Sequence, residues 1–182
     1  FAAHPLLENF RVFAGDGSYL EAACHDASQP SSSASSGQKK FATGHFFAMD
    51  LRNGALFHLT VADQIERKQE HDVRALKKLD PEILRQGAPK GQKVLWVWDR
   101  AVTDFNLWRN LKASHGIYFI TRQKENFAGQ KCGDYTFDAS SPINQGVLSD
   151  EMVGSGSSGG VAIRRITVLD PLTGVVHMLL TN

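Results

Sequence analysis

Residues 93–121, KVLWVWDRAVTDFNLWRNLKASHGIYFIT, carry the pattern that decides the fold class. The first six residues form a nearly continuous apolar run, which is typical of a strand covered on both faces. Thr103 is expected to cap a helix that Gly116 ends, because hydroxyl side chains favour N-caps and glycine favours the left-handed C-terminal position. Residues 117–121 then predict a further strand. A strand, a helix and a strand in this order favour an α/β sheet with a crossover connection.

Antiparallel strands are predicted before this segment. Residues 44–51 and 55–61 are β-prone runs separated by Asn-Gly, the strongest short hairpin signal, since both residues tolerate a positive φ. Residues 11–14 predict a first strand that ends in a Gly-Asp-Gly-Ser turn at residues 15–18. From about residue 70 the apolar spacing becomes helical, which predicts a first helix.

The chain changes character after residue 122, where short β-prone runs replace helical spacing. Strands are expected at residues 135–137, 146–153, 161–169 and 175–180, and residues 170–174 suit the turn between the last two. The predicted fold class is therefore α/β: a mixed sheet flanked by helices, followed by an all-β segment over residues 123–182. Two runs of small residues, 28–37 and 154–160, predict flexible loops. The second spells GxGxxG, but a strand pattern follows it where a dinucleotide fingerprint requires a helix.

Composition excludes several classes of protein. The 182 residues include 20 Lys and Arg against 19 Asp and Glu, so the net charge of +1 does not by itself indicate nucleic-acid binding. Apolar runs are far shorter than the roughly 20 residues of a membrane span. Cys24 and Cys132 form no zinc-type spacing and no framework of several disulfides. These features predict a protein of a reducing, cytoplasmic compartment with no membrane partner and no nucleotide cofactor.

Two carboxylates stand where chemistry is expected. Asp16 follows the first predicted strand, and Asp99 closes the strand at residues 93–98. Ligands of open α/β sheets collect at strand ends, and paired carboxylates suit Mg²⁺ or Mn²⁺. An Asp in a glycine-rich turn or before a helix is also commonly a turn or cap residue. The residues alone leave both interpretations open.

A series of segments resembles one family. AGDGSYL around Asp16, the hairpin KKFATGHFFAMDLRNGAL, QEHDVRAL, VLWVWDR with Asp99, GIYFITRQKENF and RRITVLDPLTGVVHMLLTN occur in a familiar order. Over nearly the whole chain this looks like a bacterial insertion-sequence transposase of the DDE class, whose RNase H-like catalytic domain carries a β-strand insertion between its second and third acids. The sequence departs from the usual pattern at Ala101-Val102, where the family has Gly-Tyr.

The resemblance implies the function and part of the site. Asp16 matches the first metal-binding acid and Asp99 the second, and both would be catalytic in a site for two Mg²⁺ or Mn²⁺ ions. The family's Glu, which completes this site, follows the segment matched by Thr181-Asn182, so it is expected outside this chain, as is a DNA-binding region before it. The implied reaction is phosphodiester cleavage at transposon ends and strand transfer to target DNA. Residues 1–122 would form the catalytic core and residues 123–182 the insertion.

Basic residues near the predicted strand ends are the candidates for contact with DNA phosphates. They are Arg100, Arg122, Lys124, Arg164 and Arg165; Arg122 matches the family's strand-end arginine, and placement on a solvated face is the alternative for each. The three tryptophans are expected in the core, and His45 and His71 are expected to be hydrogen-bonded structural residues.

Three functional hypotheses remain open from the sequence. The first is the catalytic core of a transposase, with DNA and further copies of itself as partners, associated with the bacterial nucleoid. The second is a catalytically inactive, truncated transposase that regulates transposition by binding DNA or the full-length enzyme; this fragment is expected to cleave little DNA on its own. The third is an unrelated α/β domain whose two acids merely cap turns.

Overall fold

The computed structural model describes residues 5–21, 32–33, 40–61, 72–100, 102–154 and 160–182. Within these ranges the chain has ten strands and three α-helices. The strands form a mixed sheet and the helices are few, so the architecture is mostly β. The chain divides into two compact units, Phe1–Val94 and Leu95–Asn182, and each is described by itself. None of the described helices is long and apolar enough to cross a membrane.

The first unit is built around one long central strand. Its elements are β1 (Phe10–Glu21), β2 (Ser32–Ser33), β3 (Lys40–Asp50), β4 (Leu56–Val61), α1 (Asp72–Lys78) and α2 (Pro81–Arg85). Strand β3 pairs antiparallel with β1, β2 and β4. Phe13, Phe46 and Leu84 are almost completely buried in this unit.

The predicted hairpin between β3 and β4 is confirmed. Gly54 has φ of 74°, a value that favours glycine because it has no Cβ. The turn closes through hydrogen bonds from the Gly54 amide to the Asp50 carbonyl and from the Asp50 amide to the Ala55 carbonyl. The local Asn-Gly signal therefore sets the register of these two strands.

The turn predicted at residues 15–18 is wrong, because β1 continues through it. Gly15, Asp16 and Gly17 lie opposite Ala48, Phe47 and Phe46 of β3. Nine residue pairs join the two strands in this register, so cross-strand pairing outweighs the turn propensity of isolated glycines. Asp16 therefore lies within a strand rather than after one.

The second unit is a meander that follows a strand–helix–strand segment. Its elements are β5 (Lys93–Trp98), α3 (Phe105–His115), β6 (Ile117–Arg122), β7 (Gln130–Asp134), β8 (Val147–Gly154), β9 (Ala162–Leu169) and β10 (Val176–Thr181). The strand order is β5-β6-β10-β9-β8-β7, and β6, β10, β9, β8 and β7 pair antiparallel in succession. Strand β5 begins at the boundary between the units, and four of its six residues belong to the second.

Tryptophans and phenylalanine fill the core of the second unit, as the sequence predicts for the tryptophans. Trp96, Trp98 and Trp108 are each at most 4% exposed. Trp96 stacks on Trp98 with 5.2 Å between ring centroids, and Trp108 stacks on Phe119 at 5.6 Å. Burial on both faces of β5 agrees with its continuous apolar sequence.

Two boundaries in this unit differ from the prediction. The N-cap of α3 is Asp104 rather than Thr103, because the Asp104 carboxylate accepts a hydrogen bond from the Leu107 amide at 2.8 Å. The strand expected at residues 135–137 is instead β7, Gln130–Asp134, whose polar sequence gives no strand signal. It forms through pairing with β8, where the Lys131 ammonium reaches the Glu151 carboxylate at 3.3 Å. The left-handed C-cap at Gly116 is as predicted.

Several predictions fall on residues that the structure does not describe. The two small-residue runs, 28–37 and 154–160, lie outside the described residues except for Ser32–Ser33, Gly154 and Gly160. His71 and Cys24 also lie outside them, whereas Cys132 is a free, exposed thiol. The division into a core of residues 1–122 and an insertion of residues 123–182 stays a prediction.

Candidate metal and nucleic-acid site

An open cleft in the second unit lies at the end of β5. Its volume is about 580 Å³, within the range of ligand pockets. It is lined by Asp99, Arg100, Lys124, Glu125 and Asn126. A carboxylate and two of the basic residues singled out by the sequence therefore lie together. The five lining side chains that belong to the described residues are polar, which suits a charged, hydrated ligand.

The backbone at Asp99 is fixed by hydrogen bonds that the sequence did not predict. Its carbonyl accepts a bond from the Thr121 hydroxyl at 2.7 Å and another from the Val102 amide at 3.1 Å. Thr121 is only 1% exposed, so this hydroxyl is a buried link between the ends of β5 and β6. The sequence signal that could have identified this hydrogen bond is a threonine at a buried position of the largely apolar strand IYFIT.

Three of the residues that line the cleft, Lys124, Glu125 and Asn126, belong to a loop anchored by an aromatic contact. Phe127 stacks on Phe105 at the start of α3, with 5.9 Å between ring centroids and 9° between ring planes. The Phe127 amide donates to the Lys124 carbonyl at 3.2 Å, which closes a turn over residues 124–127. The turn and the ring contact therefore fix the backbone that carries Lys124.

Asp99 and Asp16 are both exposed carboxylates bonded to the next backbone amide. Oδ1 of Asp99 accepts from the Arg100 amide at 2.5 Å, and Oδ1 of Asp16 accepts from the Gly17 amide at 2.9 Å. Among the described residues neither acid forms an ion pair. Asp16 belongs to the first unit and Asp99 to the second. The sharing of one metal site by the two acids therefore stays a prediction.

The remaining basic candidates occupy different surroundings. Arg122 is exposed at the end of β6. Arg164 forms a two-point ion pair with the buried Asp150, with Nε 2.7 Å from Oδ1 and Nη2 bonded to Oδ2. Arg165 binds Glu151 through Nε at 2.7 Å. Both guanidinium groups are thus engaged with carboxylates, and their contact with DNA stays a prediction.

These ion pairs shift the proton affinities of their members. Hydrogen bonding to Arg165, and then to Lys131, lowers the pKa of Glu151 below its usual value. The bond to Asp150 raises the pKa of Arg164. Both effects favour the charged forms of Glu151 and Arg164. The two ion pairs join β8 to β9 and stabilise the pairing of these strands.

Replacing Glu151 by Gln is expected to make the free energy of unfolding depend less on pH in the acid range. The pKa of Glu151 is lower in the folded chain than in the unfolded chain, where it is near 4.5. The carboxylate therefore stabilises the fold at pH values above 4.5, and this stabilisation is lost as the pH falls through the pKa of the folded state. The variant should be less stable than the parent at pH 7 but should lose less stability than the parent as the pH falls below about 5. Urea unfolding at several pH values measures both effects, and parallel curves for the two proteins would contradict the assignment.

The described residues hold no group of three or more His, Cys, Asp or Glu side chains placed to bind a metal ion.

Comparison with known proteins identifies no family for this chain. No protein-family model matches the chain, and no curated protein matches it. Among solved structures, it is similar to the piggyBac transposase in a synaptic complex with hairpin DNA, with a TM-score of 0.45 and 9% identity. The match covers 94% of this chain and 33% of that one, so the chain spans about a third of that transposase's length. A similarity this weak assigns neither a family nor an activity.

Proposed function

We propose that this chain carries part of the catalytic core of a DNA transposase and binds the phosphodiester backbone at the cleft beside Asp99. One observation carries the proposal: an exposed carboxylate at the end of a buried strand shares a cleft with Arg100 and Lys124. Cations contact phosphate oxygens, and a carboxylate holds a divalent ion beside them. The sequence resemblance to insertion-sequence transposases supports the same interpretation.

The donor set fits Mg²⁺ or Mn²⁺. Two other acids of the described chain are neutralised by arginine, in the pairs Asp150–Arg164 and Glu151–Arg165. Asp16 and Asp99 lack such partners among the described residues, so their hard oxygen atoms are available to a hard cation. We propose that these two residues hold the metal, and that a Glu from outside this chain completes the site. Their pairing in one site rests on the resemblance.

Each residue then has a defined task. The bound metal would supply positive charge at the scissile phosphate and activate the attacking hydroxyl. Arg100 and Lys124 bind the phosphates flanking that point, and Arg122 extends the basic surface. Thr121 is a positioning residue, because its hydroxyl fixes the Asp99 backbone. Residues 123–182 are proposed as the insertion of the RNase H-like fold, in a cytoplasmic, nucleoid-associated protein that works with other copies of itself.

Removing the cations of the cleft tests the DNA part of the proposal. Arg100→Ala and Lys124→Ala are each expected to weaken binding of duplex DNA and to reduce the salt slope, d log K/d log [salt], by about 1. Fluorescence anisotropy with labelled DNA at several salt concentrations measures both quantities.

Arg109→Ala is the matched control, because Arg109 is an exposed arginine of α3 that does not line the cleft. It should leave the salt slope close to that of the parent. If Arg109→Ala lowers the slope as much as Arg100→Ala does, binding is a general effect of charge and the cleft is not the DNA site.

A further inference from the structure

A pair of histidines lies on the antiparallel sheet of the first unit. His45 of β3 and His58 of β4 approach to 3.2 Å between Nδ1 of the first and Nε2 of the second. The contact confirms that His45 is hydrogen-bonded, and its partner is the ring of a second histidine. His45 is half-buried and His58 is exposed, so solvent reaches the pair.

The spacing of the two nitrogen atoms fits a shared metal ion. With metal–nitrogen bonds of about 2.0–2.1 Å, two nitrogens 3.2 Å apart subtend an angle of about 100° at the metal. This is close to tetrahedral geometry. The ring nitrogen that donates this hydrogen bond would release its proton when a metal ion binds. Small rotations of the two rings would then direct both lone pairs towards a common point.

The surrounding residues hold the two rings in place. Phe47 stacks on His45 with 6.0 Å between ring centroids and meets His58 edge-on at 5.4 Å. The strands that carry them are joined by the Asn-Gly hairpin and are paired over five positions with a bulge beside Phe47. A ligand pair fixed on two bonded strands loses little conformational entropy when it binds an ion.

The chemistry of the pair distinguishes it from the proposed carboxylate site. Imidazole nitrogen suits Zn²⁺, Ni²⁺ and Cu²⁺, whereas carboxylates suit Mg²⁺ and Mn²⁺. On the same sheet Asp16 lies opposite Phe47, and Phe47 lies opposite His58, so a strand separates Asp16 from His58. Within the described part of the chain no third His, Cys, Asp or Glu joins the two histidines.

We propose that His45 and His58 form a two-histidine site for a borderline divalent cation of the Zn²⁺ and Ni²⁺ class, with water in the remaining positions. The site is independent of the proposed transposase function. It does not require Asp16, Asp99 or DNA.

Calorimetric titration of the full chain with Ni²⁺ tests this site. The parent should bind Ni²⁺, and His45→Ala and His58→Ala should each weaken that binding by about tenfold or more, since either change leaves a single ligand. His115→Ala is the matched control, because it removes a histidine of α3 in the second unit, and it should retain the parental affinity. Circular dichroism spectra establish that each variant is folded.

Two further measurements separate this site from others. Ni²⁺ should raise the melting temperature of the parent and of His115→Ala but not of the two pair variants. Asp16→Ala should leave Ni²⁺ affinity unchanged. Absence of Ni²⁺ binding by the parent, equal affinity in folded His45→Ala and His58→Ala variants, or loss of binding only in Asp16→Ala would each overturn the proposal.

Discussion

Replacing Arg164 by Ala is expected to destabilise the chain by about 2 kcal/mol, since it leaves the buried Asp150 carboxylate without its partner. The loss is smaller than for a fully buried pair because the Arg164 side chain is 46% exposed and solvent screens the interaction. Asp150 is 4% exposed, and both of its oxygens bond to the Arg164 guanidinium. The same guanidinium lies 5.4 Å from the centre of the Tyr135 ring, a cation–π contact that is also lost. Urea unfolding at pH 7 measures the free energy of unfolding.

Two variants sharpen this prediction. Arg109→Ala, at an exposed position of α3, should change stability by no more than about 0.5 kcal/mol. Adding Asp150→Asn to Arg164→Ala should restore part of the loss, because the unpaired buried charge is gone. A loss of less than about 1 kcal/mol for Arg164→Ala would show that the pair is solvated and would leave Arg164 available for phosphate contact.

Replacing Asp99 by Asn is expected to abolish metal binding at the cleft without destabilising the fold. The Asp99 side chain is exposed, and its one described hydrogen bond, from the Arg100 amide, can be accepted equally by the Asn carbonyl oxygen. The bonds that fix this position belong to the backbone carbonyl, which the substitution leaves in place. An amide oxygen lacks the charge that a hard cation requires.

Thermal unfolding with and without Mn²⁺ measures both effects. The parent should melt higher in Mn²⁺, and Asp99→Asn should match the parent without metal but gain nothing from the ion. Asp138→Asn is the control, because Asp138 is an exposed turn residue whose Oδ1 also accepts a backbone amide, that of Ser140. A melting temperature several degrees lower for Asp99→Asn without metal would mean that this carboxylate is structural.

Local signals predicted the parts of the fold that local chemistry decides. The Asn-Gly hairpin, the left-handed Gly116 and the apolar β5 all follow from the preferences of single residues or of a short run. The turn between β9 and β10 is a further case, in which Asp170 accepts bonds from the Leu172 amide and the Thr173 hydroxyl.

Pairing over long distances along the chain decided the rest. The glycines beside Asp16 indicate a turn when taken alone, but β3 pairs with them and keeps β1 extended. Strand β7 has neither β-branched nor aromatic residues and forms only because β8 supplies its partner. The cleft was partly predictable, since Asp99 and Arg100 follow a strand in the sequence. The Thr121 hydrogen bond and the histidine pair depend on how neighbouring strands align, which the spacing of residues along the sequence does not reveal.

The most direct test of the proposed function is a calorimetric Mn²⁺ titration of the chain beside Asp16→Ala and Asp99→Ala. The account predicts that the parent binds Mn²⁺ and that each variant loses this binding, because both carboxylates serve the same ions. His45→Ala should keep the parental Mn²⁺ affinity, which separates this site from the histidine pair. Parental Mn²⁺ affinity retained in both Asp variants, or no binding by the parent, would contradict a shared carboxylate site in this chain.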